Sequence, residues 1–163
     1  MADPIVVRLV TPEDLPALRA LEDRSDGYVC DRRFVEAQDG SSYYIIAIRG
    51  TDPHGTVVLD VSEGDLCPEL RNMYVYQHAR RQGVGTTLDE FVQRFARDLG
   101  FEEVFLGVDP DNYRAIPLYI SLGYEPTGNH RRVETGIVEG VDPPDDKAVY
   151  HDAIYRKSLR YLD

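Results

Sequence analysis

Arg80-Arg81-Gln82-Gly83-Val84-Gly85-Thr86 decides how this chain reads. A pair of arginines runs into two glycines one residue apart, and an amphipathic pattern starts directly behind them. Val84, Leu88, Phe91, Val92, Phe95 and Leu99 recur at spacings of three and four. That spacing predicts a helix over 83–99, stopped by Gly100. Glycine lets a backbone approach a ligand closely, and a helix start offers unpaired N–H groups and a positive dipole end. With the arginines this makes an anion site suited to a pyrophosphate. Glycine spacing alone also fits a plain tight turn with solvated arginines. Two other phosphate motifs are excluded. A dinucleotide fingerprint needs a third glycine where Leu88 stands, and a Walker A loop needs a lysine where this chain has none before Lys147.

Outward from this turn the chain alternates strands and helices. Upstream, Ile5–Val10 reads as a strand, and Thr11-Pro12-Glu13-Asp14 opens a helix running to about Arg24. A short second helix is predicted at Asp31–Ala37. Strands at Tyr43–Ile48 and Thr56–Val61 flank a turn-rich loop, Arg49–Gly55, and a fourth strand covers Glu69–Tyr76. Downstream come a strand at Glu103–Val108, a turn at Asp109–Asn112 and a helix at Ala115–Leu122. A less regular stretch follows from Tyr124, then a loop at Asp142–Asp146 and a last strand at Ala148–Leu159, so that the element order closes on a pair of strands. Pro117 fits only if its helix starts near Ala115, where a first-turn proline is tolerated. No repeat or linker divides the chain, so one domain over 1–163 is expected.

Composition narrows the function classes. The 163 residues are 42% hydrophobic and 29% charged, which suits a globular fold and excludes a disordered or fibrous one. Eighteen basic against 29 acidic residues give a net charge of −11, a surface that repels duplex nucleic acid and anionic lipid. No run of about 20 apolar residues is present, and Met1-Ala2-Asp3-Pro4 opens no signal sequence, so a cytoplasmic protein with no membrane partner is expected. Cys30 and Cys67 form no CxxC and read as plain thiols. His54, His78, His130 and His151 have no short ligand spacing, so surface histidines and no metal are expected.

The phosphate turn resembles the acetyl-CoA loop of the Gcn5-related N-acetyltransferase (GNAT) superfamily, R/Q-x-x-G-x-G/A, which Arg80 to Gly85 fits at every fixed position. Glu69-Leu70-Arg71-Asn72-Met73-Tyr74-Val75 looks like that family's fourth strand. Asn112, Ala115, Tyr119, Gly123 and Tyr124 match its N-x-x-A-x-x-x-Y-x-x-x-G-F/Y signature. These motifs cover residues 69–124, and the element order extends the likeness over nearly the whole chain. The resemblance implies an α/β (α+β) fold with a mixed, mostly antiparallel sheet of six or seven strands. The sheet would be flanked by helices and splayed between strands four and five.

It also implies roles. Acetyl-CoA, as acetyl donor, would meet Met73, Tyr74, Val75, Arg80, Arg81, Gln82, Gly83, Val84, Gly85, Thr86, Asn112 and Tyr119. Tyr119 is the candidate general acid, against plain helix packing, because a phenol can protonate or hydrogen-bond a leaving thiolate. Glu69 is the candidate base that deprotonates the amine, against an exposed strand-end acid, with Glu63 and Asp65 competing. Tyr28, Arg71 and His130 are candidate acceptor contacts. The expected activity is acetyl transfer from acetyl-CoA to a primary amine of a small molecule or peptide, by direct attack in a ternary complex. An acyl-CoA sensor without turnover and a transferase for longer acyl groups are the alternatives. The acceptor-reading segments are expected at 22–40 and 134–147, and a homodimer through the C-terminal strands is the protein partner implied.

Overall fold

The computed structural model describes residues 3–22, 27–133 and 150–162. The expected loop at Asp142–Asp146, the acceptor-reading segment 134–147 and the start of the last strand at Ala148 lie outside these residues. Seven strands form one sheet: β1 (Ile5–Leu9), β2 (Ser42–Arg49), β3 (Asp52–Asp60), β4 (Glu69–Val75), β5 (Glu103–Val108), β6 (Glu125–Val133) and β7 (Tyr150–Ser158). Their order across the sheet is β1-β2-β3-β4-β5-β7-β6. Four helices accompany it: α1 (Leu15–Ala20), α2 (Val29–Glu36), α3 (Val84–Asp98) and α4 (Ala115–Ser121).

Alternation along β2 explains the layering, because successive strand side chains point to opposite faces. Ile45 and Ala47 join Val57, Leu59, Leu70, Val104 and Leu106 against Val84, Leu88, Val92 and Ala96 of α3. Tyr44, Ile46 and Ile48 turn the other way, onto Leu15, Leu18 and Cys30 of α1 and α2. Both faces of β2 and β3 are therefore covered, and Tyr43–Ile48 and Val57–Leu59 read as continuous apolar runs.

All neighbouring strands are antiparallel except β4 and β5, which run parallel and share one register pair, Glu69 with Phe105. Beyond that pair the two strands part, so the second half of β4 has no partner on its β5 side. A bulge at Asn72–Met73, with Asn72 at φ 55°, bends β4 at the point of parting.

One expectation is corrected and another sharpened. The predicted loop 49–55 shrinks to a turn at Gly50 and Thr51, and β3 begins at Asp52. Gly50 supplies the positive φ, and a bulge beside Ile48 accommodates Pro53, which cannot donate to a ladder. The less regular stretch from Tyr124 is strand β6, the first of the two expected closing strands, on the edge of the sheet. Its exposed face and the break around Gly128 erase the apolar alternation that marks a strand in sequence.

Candidate functional site

The chain leaves β4 through a 3-10 turn, Gln77–Ala79, and enters α3 at Val84. Arg81 and Gly83 both hold left-handed backbone, at φ 64° and 77°. That conformation costs an arginine but not a glycine, and functional turns commonly carry it. The first bond of α3 runs from the Thr87 N–H to the Gly83 carbonyl, and no side chain caps the helix. The N–H groups of Val84, Gly85 and Thr86 thus stand at the positive end of a 15-residue helix without an intrahelical acceptor.

These groups border a cavity of about 740 Å³ lined by Met73, Tyr74, Val75, Arg80, Arg81, Gly83, Val84, Gly85, Thr86, Asn112, Arg114, Ala115, Leu118 and Tyr119. It lies between the second half of β4, the start of α3 and α4. Among the described residues three arginines and no carboxylate line it, so a chain of net charge −11 carries a cationic hollow here. The Arg80 Nε donates to the Val75 carbonyl at 3.1 Å, and its guanidinium lies 5.7 Å from the Tyr74 ring centre. Eleven of the twelve residues expected to contact the cofactor line this hollow. Gln82 does not; its side chain donates to the His78 carbonyl at 3.3 Å. Arg114, Ala115 and Leu118 line it too and were missed, although Ala115 belongs to the same Asn–Ala–Tyr signature.

Asn112 accepts the Ala115 N–H at 3.1 Å and so starts α4 where Pro117 is tolerated. Tyr119, half-buried on α4, lies edge-on to Tyr124 at 5.7 Å between ring centres. Burial, then the charge of Asp89, pushes its hydroxyl up to about 12. Asp89 is fully buried on α3; it accepts the Tyr124 hydroxyl at 2.7 Å and the Gln93 amide. Burial lifts its carboxyl to about 6 against those hydrogen bonds.

Glu69 is buried at the head of β4, and both its oxygens are taken by Arg131 of β6, at 3.0 and 2.8 Å. Arg131 also lies 3.7 Å from Asp152 of β7, whose carboxyl is raised by burial and held down in part by Arg131. The guanidinium crosses β5 above Gly107, where a Cβ would meet it at 2.8 Å. Glu63 and Asp65 are exposed in the β3–β4 connection.

The three residues expected to contact the acceptor are spread out. Arg71 pairs with Asp60 at 3.0 Å and lines a second cavity of about 440 Å³ with Arg32, Arg33 and Glu36 of α2. Tyr28 is half-buried beside the α1–α2 core, and His130 is exposed on β6. His54 departs from the surface histidine expected: it is buried in β3, and its Nε2 lies 3.1 Å from Asp52. The His78 Nε2 reaches the same carboxylate oxygen at 3.1 Å.

Comparison with known proteins agrees with this architecture. The sequence pattern of the Acetyltransferase (GNAT) family matches residues 10–124. N-acetyltransferase 8B of Rattus norvegicus is 31% identical over 114 residues, 68% of this chain and 48% of that protein. The chain spans between about a quarter and a half of the length of the curated relatives it matches. Among solved structures, the ribosomal-protein-S18-alanine N-acetyltransferase from Escherichia coli superposes with a TM-score of 0.70 at 21% identity, covering 98% of this chain and 97% of that one. An aminoglycoside 6'-N-acetyltransferase complexed with coenzyme A gives 0.69 at 16% identity, covering 97% and 99%. At these identities the structural likeness speaks for the fold.

Proposed function

Because the chain belongs to the GNAT acetyltransferase family, we propose that it transfers an acetyl group from acetyl-CoA to a primary amine, by direct attack in a ternary complex. The observation that carries this is the cationic hollow at the start of α3: free helix N–H groups and three arginines in a chain that is otherwise strongly acidic. The pyrophosphate would rest on the N–H groups of Gln82 to Thr86, with Arg80, Arg81 and Arg114 around it. The pantetheine arm would lie along β4 where it parts from β5. Backbone groups of Met73 and Val75 would bond its amides and polarise the thioester carbonyl.

The amine nitrogen then attacks the thioester carbon, the C–S bond breaks, and the electron pair leaves on sulfur. Tyr119 meets that sulfur in this reading. Its hydroxyl, near 12, stays protonated at neutral pH, whereas a thiol ordinarily loses its proton near 8.5. The difference makes Tyr119 a hydrogen-bond donor to the departing thiolate, and the proton that ends on sulfur comes from the amine. On the other sheet face, Glu69 holds Arg131 with both oxygens. Asp152, its carboxyl raised by burial, is proposed as a base for an incoming ammonium beside it.

The acceptor is proposed to enter beside β4 at Arg71 and Asn72. The cavity there carries Arg32, Arg33 and Arg71 with Glu36 and Asp60. Such mixed charge favours an amine with a neighbouring carboxylate over a bare polyamine. Incubation with acetyl-CoA and a panel of amino acids, peptides, polyamines and aminoglycosides, read by release of free CoA thiol, tests both statements. Turnover confined to polyamines overturns the acceptor class. Tight acetyl-CoA binding with no turnover on any amine replaces the enzyme by an acyl-CoA sensor.

A further inference from the structure

We infer that Asp52, His54 and His78 form a binding site for a borderline divalent cation, zinc in the first place, on the flank of the phosphate turn. The ligand atoms of the three residues lie within 4.8 Å of one another. The Nε2 atoms of His54 and His78 each stand 3.1 Å from the same Asp52 oxygen. Zinc holds imidazole nitrogen and carboxylate oxygen at about 2.0–2.1 Å in a tetrahedral array, which sets neighbouring ligands roughly 3.3 Å apart. Both His–Asp separations are close to that value, and the two imidazole nitrogens lie within 4.8 Å of each other.

The ligands are also held in place. His54 is the extra residue of the β2–β3 bulge, a feature that re-aims a side chain, and it is buried. His78 sits in the 3-10 turn that follows β4, and the Tyr76 N–H donates to the His54 carbonyl at 2.9 Å, tying the two segments together. The two imidazole rings meet edge to face at 5.3 Å. Asp52 and His78 keep 55% and 42% of their side-chain surface, which leaves an entry path and a fourth position for water.

Hydrogen bonding alone explains less. Both imidazoles must then carry their proton on Nε2 and converge on one carboxylate oxygen. Two imidazoles and one carboxylate suit zinc, cobalt or nickel far better than calcium or magnesium, which take all-oxygen sites. An ion here would clamp Gln77–Ala79 against β3, just ahead of Arg80. It would brace the turn, at a distance from the acyl-transfer chemistry.

Chelator-treated protein, titrated with zinc chloride by calorimetry and with cobalt(II) by visible absorption, tests the site without any turnover. We expect one equivalent of zinc, a cobalt d–d band, and a melting temperature that rises with zinc. His78→Ala and Asp52→Asn alter exposed side chains, so both variants should melt like the parent without metal. Each should bind zinc about tenfold more weakly or worse. Failure to saturate at one equivalent, or full affinity in either variant, overturns the site and leaves a hydrogen-bonded clip between β3 and the turn.

Discussion

Two tyrosines and an aspartate carry the sharpest residue-scale expectations. Tyr119→Phe removes only an oxygen, so packing against Tyr124 survives and acetyl-CoA binding should be unchanged. Loss of one donor at the charge-bearing atom should lower kcat by about a hundredfold to a thousandfold, measured by steady-state CoA release. Asp89 governs stability. Its folded carboxyl lies near 6 against an ordinary 3.8, so the fold favours the protonated form. That contribution is complete at acid pH and is lost as pH rises through 6, by up to roughly 3 kcal/mol. Asp89→Asn cannot ionise and still accepts the Tyr124 hydroxyl. Urea midpoints taken from about pH 4 to pH 7 should therefore show the variant gaining on the parent as pH rises. Tyr119 was visible in the sequence because it sits in a contiguous signature. Asp89 was not, because an acid on a helix looks solvated until the Tyr124 hydroxyl, 35 residues away, is seen to bond it.

At the scale of elements, binding and stability separate at the start of α3. A Cβ on Gly85 would meet Leu118, Met73 and Val75 at 3.5–3.8 Å, ordinary contact distances. Gly85→Ala should therefore leave the fold intact and favour the helix by up to about 1 kcal/mol. The new methyl group would stand in the hollow between β4 and α4, so acetyl-CoA affinity should fall while the melting temperature holds or rises. Calorimetric titration beside a thermal melt reads both at once. An unchanged affinity would remove Gly85 from the cofactor site. The helix and its turn were legible because every group involved lies within a few consecutive residues. The bounds of strand β6 were not, since an edge strand with a glycine break carries no apolar period. Neither was the true start of β3, where Asp52, Pro53 and His54 look like a loop until Gly50 is seen to complete the turn.

For the whole molecule, the two thiols report on the layers. Cys30 lies in the core beneath α1 and α2, and burial pushes its thiol up to about 12, whereas Cys67 is half-buried. Disulfide-exchange labelling of native protein should therefore modify at most Cys67, and both thiols only when the α1–α2 layer opens. Rapid labelling of Cys30 in the native state would contradict that packing. Among the described residues, no helix is long and apolar enough to cross a membrane. The net charge of −11 says nothing of the cationic hollow, which the Arg80-Arg81 pair marked instead, because charge counts average over a surface that the fold sorts into regions. The sequence by itself determined the phosphate turn and its helix, because local spacing and backbone chemistry dictate them, whereas the parting of β4 from β5 was implied only by the family resemblance. Only the tertiary structure decided what lies across the sheet. The order β4-β5-β7-β6 carries Arg131 over Gly107 to Glu69, and the β2–β3 bulge brings His54 and His78 to one carboxylate. The Arg131–Glu69 and His78–Asp52 contacts join residues 62 and 26 positions apart. Strand order and register set such pairings, and neither is written in any single stretch of chain.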